Sequence, residues 1–195
     1  MRICFATNNL HKLEEVRQAV TGSGLTILSL EDIHCSEELP ETRDTIAGNS
    51  LQKAEYVYAN YRVACFADDT GLEVDALNGA PGVYSARYAG PERKSDDNIE
   101  LLLTNLRGKA NRSACFRTVI TLIGLDGAQS VLFEGIVKGT ITETQKGTSG
   151  FGYDPVFMPD GFGRTFAEMT MADKNKLSHR AKAVSKLVEY LKAIF

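Results

Sequence analysis

The first 67 residues alternate between two hydrophobic periods, and that alternation leaves few folds open. Arg2–Thr7 (RICFAT) is a nearly continuous apolar run of strand length that stops at the polar pair Asn8-Asn9. Leu13, Val16 and Val20 then recur at helical spacing, and Gly22 and Gly24 stop that helix. Leu25–Leu30 is a second short apolar strand, and the acidic, aperiodic stretch from Glu31 to Asp44 reads as a loop. Ala47, Leu51, Ala54, Tyr58 and Tyr61 mark a second helix. Val63–Ala67 (VACFA) is a third buried strand, and it ends at Asp68-Asp69-Thr70-Gly71.

Farther along, Asn78–Arg93 is rich in Gly, Pro and Tyr and reads as an ordered loop. Ile99, Leu102, Leu103 and Leu106 mark a third helix with Ser95 at its cap. Arg112–Ile123 and Val131–Thr142 are two long strands, joined by a hairpin turn at Leu125-Asp126-Gly127. A glycine-rich stretch, Gly147–Pro155, leads into a short strand, Val156–Met158. The last helix shows Ala181, Val184, Leu187, Val188, Leu191 and Phe195 on one face. Helices alternating with strands early and a long hairpin later predict an α/β fold with a mixed sheet. No repeat or linker interrupts the 195 residues, so a single domain over 1–195 is expected.

Charge and cysteine usage narrow the function. A net charge of −3 lacks the basic excess that gripping a nucleic acid polymer demands, although a local Lys/Arg cluster can still hold a small anion. Cys4, Cys35, Cys65 and Cys115 form no C-x-x-C pair and no zinc pattern, and are expected to be structural thiols. The N-terminus has no charged-then-apolar leader, and no apolar run approaches the ~20 residues of a membrane span. A reduced, cytoplasmic protein is expected.

Four places have residues suited to chemistry. The turn Thr7-Asn8-Asn9-Leu10-His11-Lys12 opens a helix, whose N-terminal amides attract phosphate while Lys12 adds a cation. The plain alternative is an ordinary helix cap. Asp68-Asp69-Thr70-Gly71 sets two carboxylates at a strand end. Successive strand side chains point to opposite faces, so one aspartate can face a ligand while the other braces the fold. Hard Mg²⁺ takes such oxygens, with Glu41 a further candidate, and a solvated acidic turn is the alternative. Gly150-Phe151-Gly152-Tyr153-Asp154-Pro155 offers aromatic rings for stacking and a carboxylate acceptor, or else simply completes a core. Lys174, with Ser178-His179-Arg180 at the last helix's start, places cations against the helix dipole, which an anionic or carbonyl-bearing ligand would offset.

Together these segments resemble the inosine/xanthosine triphosphate pyrophosphatase family. The resemblance rests on Thr7-Asn8-Asn9…Lys12, Pro40-Glu41-Thr42, Asn49…Lys53-Ala54, Ala67–Leu72, Gly79–Arg87, Phe151–Pro155 and Ser178-His179-Arg180, in order from residue 3 to past residue 180. It implies a homodimeric α/β enzyme with an elongated mixed sheet flanked by helices, two lobes and a cleft between them. It also implies Mg²⁺-dependent hydrolysis of non-standard purine nucleoside triphosphates (ITP, dITP, XTP) to the monophosphate and pyrophosphate. On that reading Asp69 is the catalytic residue, and Glu41 and Asp69 hold the metal. Thr7, Asn8, Asn9, Leu10, His11, Lys12, Lys53 and Thr70 hold phosphates. Phe151, Gly152, Tyr153, Asp154, Lys174, His179 and Arg180 hold the purine nucleoside. Gly48 departs from the family, which often has Glu there. A nucleotide-binding sensor without turnover is the alternative, and the presence of Glu41, Asp68 and Asp69 argues against it.

Overall fold

The computed structural model describes residues 1–125 and 129–194. Its elements are β1 (Arg2–Phe5), α1 (Leu10–Ala19), β2 (Thr26–Leu28), α2 (Ile46–Tyr61), β3 (Cys65–Val74), β4 (Pro81–Gly82) and α3 (Ser95–Asn105). β5 (Ser113–Ile123), β6 (Val131–Ile141), β7 (Phe157–Pro159), α4 (Met171–Leu177) and α5 (His179–Ile194) follow. The strands form one sheet in the order β2-β1-β3-β5-β6-β7, with β4 paired to β3. β1 pairs in parallel with β2 and β3, whereas β3/β4 and β6/β7 are antiparallel. The fold is therefore mixed α/β, as the alternation of periods predicts.

The chain divides into two compact units. One comprises Met1–Asp69, Thr118–Gly135 and Arg180–Phe195, and the other Thr70–Arg117 and Ile136–His179. In the first unit β1 is buried on both faces. Ile3 and Phe5 pack with Leu13 and Val16 of α1 and Val184 and Leu187 of α5, while Cys4 and Ala6 pack with Ala54 and Val57 of α2. Two-sided burial explains why RICFAT is continuously apolar rather than alternating. Gly22 and Gly24 adopt φ of +78° and +80°, the left-handed conformation that lets the chain leave α1 without steric cost. In the second unit Ile99, Leu102 and Leu106 of α3 pack with Leu72, Phe116, Phe157 and Phe166.

Several expectations need correction. β3 does not stop at Ala67 but continues through Asp68-Asp69-Thr70-Gly71 to Val74, so the paired aspartates lie inside a strand. Pairing with β4 and burial of Leu72 and Val74 prolong it. α3 is capped by Lys94, not Ser95, which is its first helical residue. The buried face of α2 carries Ile46, Asn49, Ser50, Lys53, Ala54 and Val57, while Ala47, Leu51, Tyr58 and Tyr61 sit at its margins. Lys174 lies in a separate helix, α4, which Ser178 closes before α5 begins. A short 3-10 turn, Glu31–Ile33, interrupts the acidic loop. The expected hairpin turn at Asp126-Gly127 and the helix-face position of Phe195 lie outside the described residues.

Candidate active site

In the first unit the alternation of β3 sorts its side chains. Phe66 faces the cluster of α1 and α5, whereas Cys65 and Ala67 face that of α2. Two residues on, the same parity sends Asp68 toward α1 and α5 and Asp69 toward α2. Asp68 is wholly buried and accepts from Lys12 Nζ at 3.0 Å and Arg180 Nε at 3.1 Å. Arg180 also donates through Nη1 to Glu15, which is buried one helical turn after Lys12 on α1. Burial by itself would raise the Asp68 pKa, but Lys12, Arg180 and Lys53 outweigh it and hold the carboxyl well below its usual range. The bracing role expected for one of the two aspartates falls to Asp68. The cation of Arg180 at the start of α5 is offset by the protein's own Glu15 and Asp68.

Asp69, 8% exposed, accepts from Asn49 Nδ2 at 3.3 Å and lies 3.6 Å from Lys53 Nζ. That ammonium also donates to Glu41 Oε1 at 2.5 Å. Glu41 and Asp69, far apart in sequence, thus meet at one cation. Burial raises the pKa of Asp69, and repulsion from Glu41 and Asp68 adds to it against Lys53 and Lys12. Lys53 goes up despite its burial, because Asp69, Glu41 and Asp68 all stabilise its charge. One ammonium surrounded by carboxylates leaves Asp69 short of positive charge. Two hard oxygen ligands that share one ammonium suit Mg²⁺, which commonly takes one or two carboxylates and completes its shell with waters and phosphate oxygens. No group of three or more His, Cys, Asp or Glu suited to a metal occurs among the described residues. Position 48 adds no carboxylate: a Cβ on Gly48 would lie 2.8 Å from Thr45 Oγ1 and 2.9 Å from Arg43 Cβ.

The turn before α1 has its own tasks. Asn9 is the N-cap and accepts from Lys12 N, while Thr7 Oγ1 accepts from Asn9 N. Asn8 donates to Glu37 O and accepts from Leu39 N, joining this turn to the loop that leads to Glu41. Leu10 is 77% exposed and His11 is exposed. The capping alternative therefore holds for Asn9, and it leaves the helix N-terminus formed and accessible.

In the second unit Asp154 organises the aromatic loop. Its Oδ2 accepts from Lys174 Nζ at 2.7 Å and from Phe151 N at 2.9 Å, all three polar groups being at least partly buried. Lys174 Nζ also lies over the Phe151 ring, 4.8 Å from its centroid. Gly150 has φ +79°, and a Cβ there would fall 2.1 Å from Asp154 Oδ2, so only glycine leaves room for the carboxylate. Tyr153 is buried and donates its hydroxyl to Ser85 O, which ties Gly152 and its neighbours to the 78–93 loop. Ser85 Oγ in turn accepts from Leu72 N and donates to Gly82 O. His179 stacks on Phe116 with centroids 4.6 Å apart. Thr70, the first residue of this unit, is partly buried within β3.

Residue-type reasoning missed Glu15, Asn49, Ser50 and Ser85. Glu15 and Asn49 did leave a trace, since each lies three or four residues from a site lysine on the same helix. Ser50, which donates to Ala67 O and Thr121 Oγ1, leaves none, because those partners are distant in sequence.

These features define an α/β protein with a buried carboxylate–lysine centre beside the N-terminus of its first helix. The chain belongs to the Ham1 family, which residues 3–190 match. It is 56% identical to the dITP/XTP pyrophosphatase of Flavobacterium johnsoniae over 99% of both chains, and 51% identical to that of Porphyromonas gingivalis over 97% of both. Among solved structures it resembles the Ham1 protein of Staphylococcus aureus, with a TM-score of 0.89 at 34% identity over 100% of both chains. Among the described residues no helix is long and apolar enough to cross a membrane.

Proposed function

We propose that this chain hydrolyses non-standard purine nucleoside triphosphates, dITP, ITP and XTP, to the nucleoside monophosphate and pyrophosphate, with Mg²⁺ as cofactor. The observation that supports this best is the meeting of Glu41, Asp69 and Lys53 in a chain so similar to dITP/XTP pyrophosphatases. Glu41 and Asp69 would hold the metal, which when bound neutralises phosphate charge. Asp69, whose burial favours a bound proton, is suited to orient water and accept its proton. Thr7 to Lys12 would meet phosphates, Leu10 and His11 through the backbone amides of the α1 N-terminus, with Lys53 and Thr70 adding donors. Lys174, Asp154 and Phe151 would recognise the purine, with Gly152 giving the loop its close approach and His179 adding an aromatic wall. Tyr153 would serve by anchoring that loop, and Arg180 by holding Asp68 and Glu15.

Cytoplasmic residence and a homodimeric state belong to the same proposal, and light scattering tests the latter. The decisive assay is incubation with ITP and Mg²⁺ followed by chromatography. Monophosphate and pyrophosphate are expected, and a diphosphate with orthophosphate as primary products would refute it.

A further inference from the structure

Lys53 reaches both carboxylates that the preceding proposal gives to the metal, and a lysine that only cradled phosphate would need neither. Its ammonium lies 2.5 Å from Glu41 Oε1 and 3.6 Å from Asp69 Oδ1, and it is buried. A divalent ion bound by those same oxygens would lie between them, in the region the ammonium of Lys53 occupies. An ion there competes with the ammonium for the same oxygens, because like charges a few ångströms apart repel each other. Asp69 need not turn when the ammonium leaves. Its other oxygen, Oδ2, accepts from Asn49 Nδ2, and Asn49 Oδ1 is itself held by Arg43 N at 2.8 Å. The four-carbon stem of lysine allows the ammonium to move while the helix stays still.

We infer that Lys53 is a built-in counterion of the metal site. It holds Glu41 and Asp69 together without a divalent ion, competes with that ion for them, and turns away when it binds. This rests on the Mg²⁺ reading above, but the tests need neither nucleotide nor turnover. Mn²⁺ serves as the probe, its binding followed by electron paramagnetic resonance in wild type, Lys53→Met and Lys53→Arg. Removing the competing charge should tighten Mn²⁺ binding by about tenfold or more in Lys53→Met, while Lys53→Arg, which keeps the charge, should not tighten it. Binding in wild type that Lys53→Met leaves unchanged or weakens overturns the inference alone. Absence of binding in all three proteins overturns it together with the Mg²⁺ proposal.

A second measurement uses the unaltered protein, in case Lys53→Met fails to fold. Amine acylation mapped by peptide mass spectrometry should label Lys53 several-fold more with Mg²⁺ than without, relative to exposed Lys109 and Lys176. Unchanged or reduced labelling overturns the inference.

Discussion

Asp68 and Asp69 are neighbours on one strand, yet replacing each with asparagine should move stability in opposite directions. Asp68→Asn takes away the carboxylate that Lys12 and Arg180 share, at a wholly buried position. Breaking a buried ion pair costs about 3–5 kcal/mol, and the lower end applies here because asparagine keeps one acceptor oxygen. For a chain of this size, about 3 kcal/mol corresponds to a fall in Tm of roughly 6–12 °C. Asp69→Asn removes a charge that burial and two neighbouring carboxylates disfavour, and it leaves Lys53 on Glu41. A carboxyl whose folded pKa is raised costs stability above that pKa, so the variant should be as stable as wild type or more so, by up to ~2 kcal/mol. Its kcat should nonetheless fall by about 10²-fold or more, the scale for losing an acid/base group. Thermal melts by circular dichroism at pH 7.5 in chelator, paired with pyrophosphate release from ITP in Mg²⁺, measure both effects. Asp69→Asn melting well below wild type, or Asp68→Asn melting with it, would refute the assignment of bracing to one aspartate and chemistry to the other.

Further outcomes follow from the same geometry. The depressed folded pKa of Asp68 means the unfolded chain takes up that proton first. Its stabilisation is therefore full above the ordinary carboxylate range near pH ~4 and is lost as pH falls through the folded value. The stability gap between wild type and Asp68→Asn should narrow on acidification in urea melts, and a constant gap from pH 7 to 3 would show that another group titrates. Arg180→Ala should destabilise by about 3 kcal/mol, leaving Glu15 and Asp68 without their shared cation. It should also lower kcat/KM for ITP and ATP in equal proportion, and a loss confined to ITP would return Arg180 to the base. Burial pushes the Cys4 and Cys65 thiols up to about 12, so neither should react with a thiol reagent at pH 8 until the protein is denatured. Prompt native labelling of either, read by mass spectrometry, would contradict the packing.

Much of this protein can be read without coordinates, because local physics dictates it. A strand buried on both faces must be apolar throughout, so RICFAT and VACFA announce a layered α/β core. A helix that packs on one side must repeat its apolar residues, so α1, α3 and α5 are visible as stripes. The motifs at Thr7–Lys12, Asp68–Gly71 and Phe151–Pro155 are each contiguous, and each segment marks a place where polar chemistry gathers. What stays hidden is any relation between residues distant in the chain. β3 runs on through two aspartates because β4 and the core around Leu72 hold it extended, and nothing in Asp-Asp-Thr-Gly suggests a strand. The α2 stripe is misread for the same reason: Asn49, Ser50 and Lys53 are buried by partners on β3, β5 and the Glu41 loop, which no helical period encodes. Residue types and spacing alone determined the layered fold and the kinds of groups available for chemistry. Tertiary structure decided which carboxylate meets which cation, because charges pair across space, and only the packing of α1, α2 and α5 on β3 brings Glu15, Glu41, Lys53 and Arg180 to the two aspartates.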